Sequence, residues 1–357
     1  MKKKRGLLLA AIITGSILLL SGCGGGDKKD GGASGDKKVL NIYSWADYYA
    51  PEVIADFEKK YNCKVTYDVY SNNEELLAKM QAGGAQFDII QPSDYMVTTM
   101  IKLDMLEKLD KSKLPNAANI TKDLQHPAYD PNEEYSLAYV WGITGIVYNQ
   151  KFIKEAPTSW ADLWKPEYKG HVILLNDCRE VFSFALKKNG WSNNSTDPAQ
   201  VGKAFQDLKS LNSNVLAYDT ENIKQKFIAE EAWIGQMWSG DAAYCYTDNK
   251  NINFVVPKEG SLIWADNMAI PKGCKNKDLA LAFINYMYDP EVSAKNFNYI
   301  RVPNPNEKAW PKMNAATLNN PMLKVGNASI KKGEWLHDIG NAISMYDKYW
   351  TELKTGK

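Results

Sequence analysis

The feature that most constrains this chain is an alternation of two hydrophobic periods between residues 39 and 91. Residues 39–43 (VLNIY) are β-prone. Residues 51–61 carry Val53, Ile54 and Phe57 at helical spacing, with Pro51 in the first turn. Residues 64–70 (KVTYDVY) alternate as a strand. Asn72 or Asn73 caps a helix running to Met80, Gly83-Gly84 ends it, and residues 87–91 (FDIIQ) form a third strand. The order β-α-β-α-β, closed by right-handed crossovers, is half of an open, mostly parallel sheet. Such sheets bind ligands beyond the carboxyl ends of their strands. Here those ends are SWADY at residues 44–48 and PSDY at residues 92–95.

A second α/β set follows. Residues 141–148 (WGITGIVY) are β-rich. Residues 171–175 (HVILL) form a strand ending in Asn176-Asp177-Cys178-Arg179-Glu180, with a helix through Leu186, and residues 232–237 form a strand ending in Trp238-Ser239-Gly240-Asp241. A second β segment, residues 262–270, contains Trp264 and Asp266. Two such crossings predict an α/β protein of two lobes, each a mostly parallel sheet flanked by helices, joined by a double-crossing hinge. The lobes are residues 39–141 with 265–312, and residues 142–264 with 313–357. A length of 357 residues fits two domains, and no period of 20 to 50 residues recurs.

The first 22 residues read as an export signal: a basic start (MKKKR), an apolar run from Gly6 to Leu20, then small residues. Leu20-Ser21-Gly22-Cys23 looks like the lipobox of bacterial lipoproteins, in which Cys23 is lipidated and becomes the new N-terminus. The apolar run is shorter than the ~20 residues that span a bilayer comfortably, which disfavours an uncleaved transmembrane anchor. Residues 23–38, glycine-rich and nearly free of apolar side chains, are a flexible tether. The location expected is therefore lipid-anchored on the extracytoplasmic or periplasmic face. Removing the signal leaves 39 basic residues against 42 acidic ones, a net charge of −3. That balance gives no basis for a nucleic-acid partner. Cys63, Cys178, Cys245 and Cys274 are widely spaced and the chain has three histidines, which argues against a zinc site; one or two disulfides stay open.

The candidate chemistry is a coincidence of acids and aromatics at strand ends: Trp45 and Asp47, Tyr95, Asp177 and Glu180, Trp238 and Asp241, Trp264 and Asp266. Carboxylates attract ammonium groups, and an aromatic face adds about 0.5–2 kcal/mol for a cation lying over it. Each residue alone has a plainer role, since a strand-end Asp commonly caps a helix and a nearby Trp commonly packs in the core. The second SWAD sequence, residues 159–162, illustrates this: it follows Pro157-Thr158, opens a helix, and places Trp160 and Trp164 at i, i+4 for packing. HExxH, GxSxG, GxxxxGK[ST] and GxGxxG are all absent, so zincin, α/β-hydrolase, P-loop and dinucleotide chemistry lack their mechanical parts. A carboxylate-dependent glycosidase stays open.

From residue 39 onward the chain resembles the substrate-binding proteins of bacterial polyamine ABC importers, the spermidine/putrescine-binding type. The resemblance rests on SWADY (44–48), FDII (87–90) with Pro92-Ser93, DKSKL (110–114), YVWG (139–142), SWADLWKPEYKG (159–170), DCREV (177–181), WAD (264–266) and KGEW (332–335). It implies a type II periplasmic-binding-protein-like fold and a hinge-closing, non-enzymatic binding protein without a cofactor or metal. Such a protein passes a protonated polyamine, putrescine or spermidine, to an ABC permease, works as a monomer and touches the membrane through its lipid alone. Carried over by position, Trp45, Asp47, Tyr48, Ser93, Tyr95, Asp177, Glu180, Trp238, Trp264 and Asp266 match the family's ligand-contacting positions. Val302 and Leu336 stand where spermidine-binding relatives place tyrosine and glutamine, Thr220 where serine is common, and Asp241 matches an acid of the putrescine-selective branch. The other readings are a binding protein for another small cation and the glycosidase.

The physical expectation agrees. An alkyl diamine titrates near lysine's ~10.4, so at neutral pH it is a charged rod, complemented by carboxylates at its ends and indoles along its methylenes. Unpaired buried acids favour an open, hydrated cleft when empty, and a ligand touching both lobes favours closure.

Overall fold

A computed structural model describes residues 37–83, 86–328 and 333–355. The signal, Cys23, all but the last two residues of the expected tether, and Gly84 lie outside the described residues. Among the described helices none is long and apolar enough to cross a membrane.

The first alternation folds as β1 (Lys38–Ser44), α1 (Pro51–Tyr61), β2 (Cys63–Val69), α2 (Asn73–Gln81), β3 (Ile89–Ile90) and α3 (Asp94–Lys102). Lys38, assigned above to the tether, is already in β1 opposite Cys63. Asn72 caps α2, its side chain accepting from Glu75 N at 2.9 Å. The third strand is shorter than its apolar run, because the Asp88 carboxylate takes the Asn41 N–H at 2.9 Å and occupies a ladder donor of β1. Next come β4 (Ser136–Asn149), β5 (Val172–Leu174), α4 (Cys178–Lys188), α5 (Pro198–Leu211), β6 (Val215–Tyr218), α6 (Ile223–Ile228), β7 (Ile234–Trp238), α7 (Ser239–Asp248), β8 (Ile252–Val255) and β9 (Ser261–Ala269). Helices Lys277–Met287 and Pro290–Ile300, the short strand β10 (Gly333–Trp335) and helix Ile343–Thr355 complete the main elements.

The strands follow the order β2-β1-β3-β9-β4-β7-β5-β6, with β10 on β9 and β8 on β4. Each lobe holds a parallel triad, β2-β1-β3 and β7-β5-β6. The crossing strands β4 and β9 are antiparallel to each other and to their other principal neighbours, β3 and β7. Direct pairing of the two crossings makes the hinge a β-ribbon. Its 14-residue member β4 is almost wholly buried, as a strand covered on both faces must be.

Three apolar clusters hold this together. The first gathers Leu40, Ile42, Phe57, Tyr139, Phe283 and Phe297, drawn from residues 40–140, 262–313 and Leu336. Two others, around Trp160, Phe182 and Tyr346 and around Val147, Met237 and Phe254, serve the second lobe. Each fully buried large side chain contributes roughly 1.5–3 kcal/mol. The repeated SWAD has the capping role expected: Ser159 and Asp162 form a capping box and Trp160 is fully buried. Cys63, Cys178, Cys245 and Cys274 are unbridged.

Candidate ligand-binding cleft

The register of β4 sets out the site. Val140 is paired with Asp266, Gly142 with Trp264 and Thr144 with Trp238. Positions two apart on a strand share a face, so one side of this ribbon presents an acid and two indoles in a row. Ser93, at the mouth of α3, bridges backbone-to-backbone with Asp266 and draws the first lobe's strand ends to the same place. A narrow cleft lies there, lined by nine of the expected residues: Trp45, Tyr48, Ser93, Tyr95, Asp177, Glu180, Trp238, Trp264 and Asp266. Asn73, Asp94, Leu262 and Leu336 complete the lining.

Each acid is wired into its element. Asp266 accepts from Tyr48 Oη and Ser93 Oγ, both at 2.5 Å. Glu180 Oε1 accepts from Trp238 Nε1 at 2.7 Å and Thr144 Oγ1 at 3.0 Å, and its Oε2 accepts from Gln236 Nε2 at 3.2 Å. Asp177 is the N-cap of α4, its Oδ1 accepting from Glu180 N at 3.0 Å, so capping and lining are roles of one side chain. These bonds hold the carboxylates in place without supplying a counter-charge. None of the ion pairs among the described residues engages Asp177, Glu180 or Asp266; Lys224 pairs with Asp47 and Asp241 instead.

Burial therefore dominates their titration. It pushes Asp266 up to about 7 against the opposing hydrogen bonds from Ser93 and Tyr48. Burial, reinforced by the Asp177 charge, pushes Glu180 up to about 8. Asp177 is raised by burial as well, and Asp94 well above the carboxylate range for the same reason. Tyr48 and Tyr95, also raised by burial, remain hydroxyl donors. The nearby buried cation is Arg179, 1% exposed, whose guanidinium lies over the rings of Tyr95 and Tyr346 at 5.2 and 5.7 Å. A cleft with several desolvated acids is complementary to a ligand with more than one positive charge.

The indoles form a continuous wall. Trp45 meets Trp238 edge-on at 5.7 Å and Trp238 meets Trp264 at 6.0 Å. Gly142 is needed beneath Trp264, because a Cβ there would stand 2.6 Å from the indole Cζ2. Gly240 is likewise needed where Val302 packs, its Cβ position lying 2.1 Å from Val302 Cγ1.

Asp47 and Asp241 depart from the expectation that every strand-end acid faces one crevice: neither is among the lining residues. Asp47, in the left-handed region at φ 60°, projects from the end of β1 and its Oδ2 accepts from Lys224 Nζ at 2.7 Å; Asp241 Oδ1 lies 3.6 Å from the same nitrogen. A lysine of α6 satisfies both acids, and no periodicity foretells that partner.

Four polar residues escaped the sequence reading. Asn73 exchanges hydrogen bonds with Ser93, and Glu74 accepts from Tyr95 Oη at 2.9 Å. Burial, then the Asp177 charge, pushes Glu74 up to about 7. Asp94 Oδ1 takes the Tyr95 N–H at 2.6 Å while Oδ2 has no hydrogen-bond partner among the described residues. Lys224 is the fourth. Only Asp94 had a legible signal, its place inside PSDY at a strand end.

Comparison with known proteins agrees with this geometry. A family profile described as bacterial extracellular solute-binding protein matches residues 52–320. The spermidine/putrescine-binding periplasmic protein of Escherichia coli K12 is 39% identical over 90% of this chain and 93% of its own. The putrescine-binding periplasmic protein PotF of the same organism is 31% identical over 92% and 94%. Among solved structures, a Listeria monocytogenes chain named for a spermidine/putrescine ABC transporter superposes with a TM-score of 0.86 at 34% identity, covering 90% of this chain and all of that one. These relatives are solute-binding proteins with the same two-lobed fold, named for spermidine and putrescine, and the chain belongs to the bacterial extracellular solute-binding protein family.

Proposed function

We propose that the cleft captures a protonated polyamine and that the chain is the extracytoplasmic binding component of an ABC importer, passing this cargo to its permease. One observation carries the reading: the buried carboxylates of Asp177, Glu180 and Asp266 line one cleft with three indoles, and among the described residues none of them has an ion-pair partner. An alkyl diammonium supplies the missing charge, and its methylenes lie along Trp45, Trp238 and Trp264. The relatives named for putrescine and spermidine support the same ligand class. A neutral sugar would leave the acids uncompensated.

The reading extends to the whole chain. The two lobes are residues 39–141 with 265–312, and 142–264 with 313–357; they close on the ligand about the β4–β9 ribbon. The protein binds and releases cargo without turning it over, works as a monomer, and is held at the membrane by lipid on Cys23. Calorimetric titration of the purified protein with putrescine, spermidine and a neutral diol of matched length tests the reading. Saturable binding of the amines and none of the diol is expected; binding of the diol as tightly as the amines would overturn it.

A further inference from the structure

Lys224 is a cation that the fold itself brings to the acidic edge of the cleft. Its side chain is 10% exposed, its Nζ lies 2.7 Å from Asp47 Oδ2 and 3.6 Å from Asp241 Oδ1, and it lies over the Tyr244 ring at 5.3 Å. Asp47 follows β1 in the first lobe, whereas Lys224 and Asp241 belong to α6 and α7 of the second. The pair therefore spans the two lobes. A second bridge runs beside it, from Ser71 Oγ to Glu221 Oε1 at 2.6 Å.

The three groups adjoin the ligand site. Asp47 directly precedes Tyr48, whose hydroxyl holds Asp266, and Asp241 lies one turn into the helix that Trp238 opens. Burial opposes the charge on Lys224, but Asp241 and Asp47 outweigh it and raise the ammonium above the ordinary lysine value. Asp241 itself is raised by burial, with Lys224 opposing. One ammonium among two acids is the arrangement that a ligand nitrogen would otherwise adopt.

We propose that Lys224 is a specificity-determining residue: its ammonium occupies the Asp47–Asp241 end in place of a ligand nitrogen, setting the cleft for a diamine. The two ligand charges then fall on Asp266 and on the Asp177–Glu180 pair. A third ammonium finds Asp47 and Asp241 already neutralised and loses its hydration without replacement. This deepens the polyamine reading and rests on it.

The test is calorimetric titration of the parent, Lys224→Met, Lys224→Gln and Lys224→Arg with putrescine and with spermidine, each variant first checked for the parental circular dichroism spectrum. In Lys224→Met the spermidine-to-putrescine affinity ratio is expected to rise about tenfold or more, the effect of one additional charge-assisted hydrogen bond to spermidine. Lys224→Arg should keep the parental ratio. Lys224→Gln, which keeps an N–H donor but no charge, decides the matter if the Met variant does not fold, and should shift the ratio in the same direction. A ratio within about twofold of the parent in a folded Met or Gln variant, with both amines weakened alike, overturns the inference while leaving the polyamine reading intact. Loss of folding in both variants marks Lys224 as a structural counter-ion and also overturns it. A parent that binds neither amine overturns the functional reading and the inference together.

Discussion

Gly142 and Trp264 are register partners on the two crossing strands, and the indole lies where a Gly142 side chain would begin, 2.6 Å from its Cβ position. The hinge and the ligand wall thus share one contact. Gly142→Ala should force the ring away, at a cost of about 1–3 kcal/mol for overpacking. A lowered melting temperature together with weakened putrescine binding is expected. Parental values of both would show that the indole moves freely and is not held by the hinge.

Neutralising the buried acids should move stability and affinity in opposite directions. Asp266→Asn and Glu180→Gln each remove a charge-assisted contact of ~1.5–3 kcal/mol, or about one to two orders of magnitude in affinity. Above about pH 8, where the ligand-free acids are ionised, the same changes relieve a desolvated charge, so the ligand-free melting temperature should hold or rise there. Calorimetry and thermal melts on the same samples check this. Unaltered amine affinity in both variants, and in Asp177→Asn, would place the site elsewhere.

Proton release should accompany binding. Asp266 and Glu74 titrate at about 7 and Glu180 at about 8, raised in each case chiefly by burial. A diammonium favours the ionised carboxylates, so affinity should climb between about pH 6 and pH 8, and the apparent binding enthalpy should vary with the buffer's ionisation enthalpy. Without ligand, the folded state binds more protons than the unfolded one between the ordinary carboxylate value of ~4 and these raised values. Ligand-free stability should accordingly fall as pH rises from about 5 to about 8. Thermal melts across that range, with and without putrescine, should show the decline only in its absence.

Leu336, 5% exposed, contributes an apolar patch to the cleft lining. Leu336→Gln adds a donor and an acceptor for a ligand's inner nitrogen and should improve spermidine binding relative to putrescine, read as a ratio of dissociation constants. An unchanged ratio would mean that this wall does not reach the ligand.

Cys23→Ala should leave the precursor unprocessed and unlabelled by a radioactive lipid precursor. Normal processing and labelling of that variant would rule out the lipid anchor.

Local pattern sufficed for much of the molecule. The bounds of α1 follow from Pro51 and a helical stripe, and the line of Trp45, Ser93, Asp177, Glu180 and Trp238 along the cleft follows from their places at strand ends. Leu262, Trp264 and Asp266 share a face because a strand has a period of two. What strand ends do not specify is which charges meet across the lobes. Lys224 is 177 residues from Asp47, and it removes Asp47 and Asp241 from the lining by an ion pair that exists only when both lobes are folded and apposed. The same holds for Gly142 beneath Trp264 and Glu74 beside Tyr95, contacts between separate elements. Sequence determines periodicity, caps and strand ends because these are interactions among near neighbours. Tertiary structure decides which acids remain uncompensated, because a charge is satisfied by whatever lies within a few ångströms of it, irrespective of position in the chain.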